Sequence, residues 1–211
     1  YAFLGALRAT AQMISYEIPM GLAIIGIVMT YGTLEMNKIV ELQGEYFRLG
    51  GLPILPKWGI FYQPLGFVLL FTALIAETKR TPFDLPEGES ELVAGFNVEY
   101  SGMKWGMFFL GEFASIVVVS ALVATLYFGG WQIPYVNLMA LPALPRVLLG
   151  VATFFGKVIV LCWLQLLVRW TLPRFRYDQL MDLGWKRLMP LAIANLPLTA
   201  AWIWMLGGMK S

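Results

Sequence analysis

The sequence predicts an all-α, polytopic bundle of transmembrane helices, with five spans in its 211 residues. Three observations predict it. Hydrophobic residues make up 59% of the chain and charged residues 13%, with a mean hydropathy of +0.70. Apolar stretches of about 20 residues, the length that crosses a bilayer as helix, recur along it. The positive charges between those stretches are unevenly shared. A soluble domain carries about 45–50% apolar and about 25% charged residues, so an ordinary water-soluble enzyme domain is excluded.

The spans fall over 11–33, 58–76, 106–128, 147–168 and 188–206. The polar loops 34–57, 77–105, 129–146 and 169–187 lie between them, and none is long enough to be a separate domain. Residues 35–48 are expected to form a short surface helix. Residues 129–146, with Pro134, Pro142 and Pro145, are expected to be irregular. No internal repeat is visible, and a chain that begins at Tyr1 rather than methionine is expected to lack its natural N-terminus. Five spans place Arg8, Lys79, Arg80, Lys104, Arg169, Arg174, Arg176, Lys186 and Arg187 on one side, against Lys38, Arg48, Lys57, Arg146 and Lys210 on the other. Nine positive residues against five orient the loop 77–105 to the cytoplasm.

The residue inventory narrows the chemistry. There is no histidine, which excludes imidazole acid–base catalysis, His-ligated haem and the usual zinc sites. The single cysteine, Cys162, cannot hold an iron–sulfur cluster, which needs about four thiolates. The pairs Gly50-Gly51, Gly129-Gly130 and Gly207-Gly208 lack the spacing of a P-loop or dinucleotide fingerprint. The net charge of +2, without a basic run, gives no reason to expect nucleic acid. The chain is expected to bind no redox cofactor of its own.

Three ionisable residues fall inside spans, where a charge costs at least about 2.5–3.5 kcal/mol. These are Glu17, Glu112 and Lys157. The plainer reading makes them structural pairs, with Glu112 to Lys157 as one candidate. The sharper reading is a hydrated polar axis that carries protons, because buried carboxylates with raised pKa values load and release them near neutrality. Pro19 favours the second reading, since it frees the carbonyl of Ser15 within the helix carrying Glu17. Ser115 and Thr153 add polar neighbours on the faces of Glu112 and Lys157. Nine residues turn a helix through about 900°, so Arg8 and Glu17 lie on opposite sides and need separate partners.

The loop from Glu77 to Tyr100 is the most informative stretch. It holds six of the thirteen acids: Glu77, Asp84, Glu87, Glu89, Glu91 and Glu99. Pro82 and Pro86 stop the preceding span. Asp84 with Glu87 three residues on forms a capping-box pattern, which predicts a short helix from near Leu85 with Leu92 and Phe96 on one face. An acid-rich loop is usually just solvated. Here apolar residues are interleaved throughout, and the positive excess on this face would hold the loop down, so crowded carboxylates are expected to titrate near neutrality.

The run Glu77-Thr-Lys-Arg-Thr-Pro-Phe-Asp-Leu-Pro-Glu-Gly-Glu-Ser-Glu-Leu-Val-Ala-Gly-Phe-Asn-Val-Glu-Tyr-Ser-Gly102 closely resembles the signature of one membrane-subunit family of bacterial NADH–quinone oxidoreductase, its H subunits, the counterpart of mitochondrial subunit 1 of respiratory complex I. Leu4-Gly-Ala-Leu-Arg-Ala-Thr-Ala-Gln-Met-Ile-Ser-Tyr-Glu17 and Phe175-Arg-Tyr-Asp-Gln-Leu-Met-Asp-Leu-Gly-Trp-Lys186 are similar to the same family. The family usually has eight spans, so the resemblance implies that this chain is the C-terminal part, with about three spans upstream.

The resemblance implies a multi-pass subunit of the bacterial inner membrane that joins the membrane arm to the peripheral arm. It would line the chamber through which quinone enters and begin the polar axis toward the proton-pumping subunits. FMN and iron–sulfur clusters would belong to partner subunits, with quinone as substrate and lipid around the spans. By the same resemblance, Glu17, Glu77, Glu99 and Glu112 would lie on the proton path, and Lys157, a charge inside a span, is expected to stand at its end. Arg8, Arg80, Phe83, Asp84, Glu87, Glu89, Glu91 and Phe109 would form the chamber loop and its lining. An aromatic within a span is more often ordinary packing, which applies most to Phe109. Two alternatives remain open. One is the homologous subunit of a membrane-bound hydrogenase or other donor-linked dehydrogenase, against which Gly95-Phe-Asn-Val-Glu-Tyr100 speaks. The other is an independent ion transporter, where internal repeats are common.

Overall fold

A computed structural model describes residues 2–49, 52–84, 100–136 and 142–208. The chain opens with α1 (Ala2–Tyr31) and a short α2 (Met36–Gln43), followed by an antiparallel hairpin of β1 (Tyr46–Leu49) and β2 (Leu52–Pro56). Then come α3 (Gly59–Tyr62), α4 (Pro64–Glu77), α5 (Met103–Tyr127), α6 (Ala143–Thr171) and α7 (Tyr177–Asp182). One π-helical stretch (Leu183–Leu188) joins α7 to α8 (Met189–Gly208).

The expected helical bundle is present. Among the described residues, four helical segments are long and apolar enough to cross a membrane: Ala2–Tyr31, Met103–Tyr127, Ala143–Thr171 and Tyr177–Met205. The stretch 58–76, expected as a fifth uninterrupted span, is helical but broken. Pro64 drives the residue before it out of the α region, and Gln63 sits there at φ −137° and ψ 66°. The remaining α4 of 14 residues is about 21 Å long, shorter than the hydrocarbon core of about 30 Å.

Other boundaries also move. The surface helix ends at Gln43 rather than 48, because Tyr46 starts the hairpin. Helix α6 starts four residues before 147, since Pro145 in its first turn needs no helical N–H there. The expected loop 169–187 is helical from Tyr177 onward. Its exposed Asp178, Asp182 and Lys186 hide that from a count of hydropathy, while Leu180 and Leu188 are buried.

Helix α1 is the hub. Gln12, Tyr16, Pro19, Ala23 and Ile27 fall on one stripe at three- to four-residue spacing and are all buried. That stripe packs on α4 and on α8, while α5 pairs with α6. The outward faces carry Leu148, Ile159, Trp163 and Trp170, which suits helices solvated by lipid rather than water.

Candidate functional site

The end of the bundle where the acidic loop departs is built around one buried amide. Gln12 on α1 donates from Nε2 to the carbonyls of Ala76 (2.8 Å) and Phe83 (3.0 Å). It thereby ties the last turn of α4 to the start of the loop. The connection turns at Lys79, whose φ of 54° is left-handed, and passes a cis Thr81–Pro82 bond. Phe83, 4% exposed, is wedged between the rings of Tyr16 (5.7 Å between centroids) and Phe175 (5.6 Å). The Phe175 N–H donates to the Pro82 carbonyl, and the Tyr16 hydroxyl to that of Leu180. The loop's first residues are thus anchored to α1 and to the connection between α6 and α7 by groups an apolar environment makes costly to leave unpaired.

Charges cluster on this anchor. Arg80, 7% exposed, donates from Nε to Glu112 Oε1 at 2.5 Å, and its guanidinium lies 4.1 Å from the centroid of the Phe113 ring. The candidate pairing of Glu112 with Lys157 is not formed; Glu112 binds Arg80 instead. Glu112 lies nine residues into the 25-residue α5, while Lys157 reaches the Phe128 carbonyl past its far end, 16 residues or about 24 Å from Glu112 along the axis. Ser115 donates to the Glu112 carbonyl. Arg174 Nη2 binds Asp84 Oδ2 at 2.7 Å.

Arg8 and Glu17 face different neighbours, as the turn count requires. The Arg8 guanidinium lies 5.7 Å from the Tyr177 ring centroid. Glu17 is on the exposed face of α1 and its charge acts on Glu77 at the end of α4. One turn before Pro19 the Ser15 hydroxyl donates to the Ala11 carbonyl and accepts from Trp185 Nε1 at 2.9 Å. Gly184, in the π-helical stretch, passes close to the Ser15 carbonyl. π-Helical turns recur at functional sites. Phe109 is exposed, stacked on Trp105 at 5.1 Å and edge-on to Phe113 at 4.8 Å. Glu87, Glu89, Glu91 and Glu99, with the helix expected from Leu85, lie outside the described residues.

Lys157 stands apart. Its ammonium donates to three carbonyls, those of Phe128 (2.7 Å), Gly130 (2.9 Å) and Gln132 (2.7 Å), and lies 4.7 Å from the Trp58 ring centroid. The turn it grips needs glycine: Gly129 and Gly130 have φ of 71° and 48°, and a Cβ on Gly129 would fall 2.6 Å from the Trp58 indole nitrogen. Thr153 spends its hydroxyl on the Leu149 carbonyl of its own helix.

Sequence reasoning missed Gln12, Tyr16, Arg174, Phe175 and Trp185. Gln12 carried a usable signal, an amide inside an apolar span. The others show nothing until the helices are docked. Among the described residues no group of three Asp, Glu, Cys or His is placed to hold a metal ion.

The architecture defines a class: a multi-pass membrane helix bundle with an ion-paired, side-chain-anchored loop platform at one end. The chain belongs to the NADH dehydrogenase family, whose profile matches residues 1–200. It is 47% identical to the NADH-quinone oxidoreductase H subunit of Bdellovibrio bacteriovorus, over 95% of this chain and 57% of that protein. Identity is also 47% to an NADH-quinone oxidoreductase H subunit of Cytophaga hutchinsonii (96% and 56%). It is 46% to NADH-quinone oxidoreductase subunit 8 of Rhodothermus marinus (95% and 59%). The chain thus spans a little over half the length of these relatives.

Proposed function

We propose that this chain forms the quinone-facing and proton-coupling part of the H subunit in a proton-translocating NADH–quinone oxidoreductase of a bacterial inner membrane, and that its redox chemistry belongs to FMN and iron–sulfur clusters in partner subunits. The observation that carries the reading is the Arg80–Glu112 pair on the platform that anchors the signature loop. A carboxylate held by a buried guanidinium, close to where the loop leaves the membrane, can respond when a neighbouring ligand changes charge. Making quinol takes up two protons per quinone, so negative charge and proton demand arise together beside such a loop.

In this reading the loop 77–105 faces the cytoplasm and the peripheral arm. Arg8, Arg80, Phe83, Asp84, Glu87, Glu89, Glu91 and Phe109 shape the entrance. Protonation shifts pass through Glu99 and Glu112 to Glu77 and Glu17, whose charges already act on one another. Lys157 stands at the far end of the axis, where its ammonium donates to three carbonyls. Helices α3 and α4 together complete a fifth, discontinuous crossing, the geometry that polar pathways in membrane proteins use.

The test is Glu112→Gln in the intact assembly, which keeps one acceptor for Arg80 but cannot carry a proton. NADH-driven quinone reduction coupled to proton uptake is expected to fall. Wild-type rates and wild-type pumping in that variant would overturn the role of Glu112. An intact assembly that ignores NADH would overturn the wider reading.

A further inference from the structure

The break between α3 and α4 gathers a second polar cluster, far from the acidic loop. Gln63, at the break, is 3% exposed; Asn195 on α8 is 3% and Tyr127 at the end of α5 is 0%. Gln63 Nε2 is hydrogen-bonded to Thr199 Oγ1, whose own hydroxyl donates to the Asn195 carbonyl. In this cluster three buried polar atoms have no hydrogen-bond partner among the described residues: Gln63 Oε1, the Tyr127 hydroxyl and Asn195 Nδ2. All three converge. A Cβ placed on Gly66 would lie 2.9, 3.1 and 3.4 Å from them, and one on Gly26 would lie 2.9 and 3.2 Å from the Gln63 and Asn195 amides. Two glycines from facing helices let the amides come this close.

Three orphaned polar groups within reach of one point, in an apolar surround, are costly unless a shared partner satisfies them. The set decides what that partner is. Gln63 offers an acceptor, Asn195 a donor and Tyr127 either, and buried water commonly makes about three such bonds. A bare cation would be repelled by the Asn195 N–H, and an anion by the Gln63 oxygen. We propose that the α3–α4 break is an internal water-binding site held by Gln63, Tyr127 and Asn195, and that this water passes protons between the bundle interior and the membrane face opposite the acidic loop. The hydroxyls that would continue the path outward are those of Tyr127 and Tyr31. The Tyr31 hydroxyl donates to the Lys57 carbonyl beside the hairpin.

The water site rests on geometry alone, while its proton-carrying role rests on the proposed function, so the two are tested separately. A water-resolving map of the intact assembly in a lipid disc is expected to show density at hydrogen-bond distance from all three groups, lost in Asn195→Leu with the helices unmoved. Gln63 and Asn195 amides bonded directly to each other, with no density between them, would overturn the site. For the role, Tyr127→Phe keeps the ring packed edge-on to Phe67 and removes only the hydroxyl. A lower ratio of protons moved to NADH oxidised is expected, and an unchanged ratio would overturn the relay. An assembly inactive with NADH even as wild type would count against the proposed function and the relay together, leaving the density to decide the site.

Discussion

The two ends of the bundle hold charge in opposite ways. At the loop-bearing end, cations meet carboxylates: the buried Arg80 with Glu112 and the exposed Arg174 with Asp84. At the other end the Lys157 ammonium meets, among the described residues, backbone carbonyls and an indole ring. A carboxylate partner can take up a proton and release its cation; a carbonyl cannot, so at the Lys157 clamp only the ammonium itself could give one up. Charge inside a membrane is therefore not by itself a sign of proton traffic; the chemistry of both members of the pair decides.

The largest test of that contrast is at Arg80. Removing one member of a buried ion pair strands the other and costs about 3–5 kcal/mol. Arg80→Leu is expected to lower the unfolding midpoint of the assembled protein strongly and to release the start of the acidic loop to proteolysis. Arg80→Lys should recover only part of the loss, because an ammonium cannot reproduce the flat packing over Phe113. Full stability in Arg80→Leu would mean that the pair does not hold the platform.

Lys157→Met sharpens the contrast from the other side. It leaves three carbonyls short of a donor, at about 1–3 kcal/mol for each one that water cannot reach. The expected result is moderate destabilisation centred on the 128–132 turn, read as faster hydrogen exchange there. Its pumping should retain the wild-type pH dependence, whereas that of Glu112→Gln should not. A shifted pH profile in Lys157→Met would show that the clamp titrates after all.

Most of the architecture is legible because membrane helices announce themselves by length and apolarity. Four of the five expected spans correspond to helices of sufficient length. The fifth reads as continuous although its breaker, Pro64, stands in the sequence; a single proline near a span's start is compatible with either an intact or a broken helix. Of the site, residue types are legible but pairings are not. Glu112 and Lys157 look like partners because both sit in spans and their charges are opposite. Depth settles it, and depth becomes visible only when Lys157 is seen reaching Phe128 past the end of α5. The helix from Tyr177 escapes for the converse reason. Its buried side is narrow and its charged side wide, a pattern hydropathy averages away.

The smallest expected effect separates packing from lining at Phe109. Its ring is 45% exposed, between Trp105 and Phe113. Phe109→Leu keeps an apolar side chain and gives up aromatic contacts worth about 0.5–1.5 kcal/mol. Stability of the assembly is therefore expected to change little. If the ring lines the quinone entrance at the switchable end, KM for quinone should rise while kcat and the unfolding midpoint stay near wild type, because an entrance residue acts on access rather than on the reacting atoms. An unchanged KM with the same small stability loss would assign Phe109 to the aromatic stack alone. The entrance would then rest on Arg80, Asp84 and the acids beyond them.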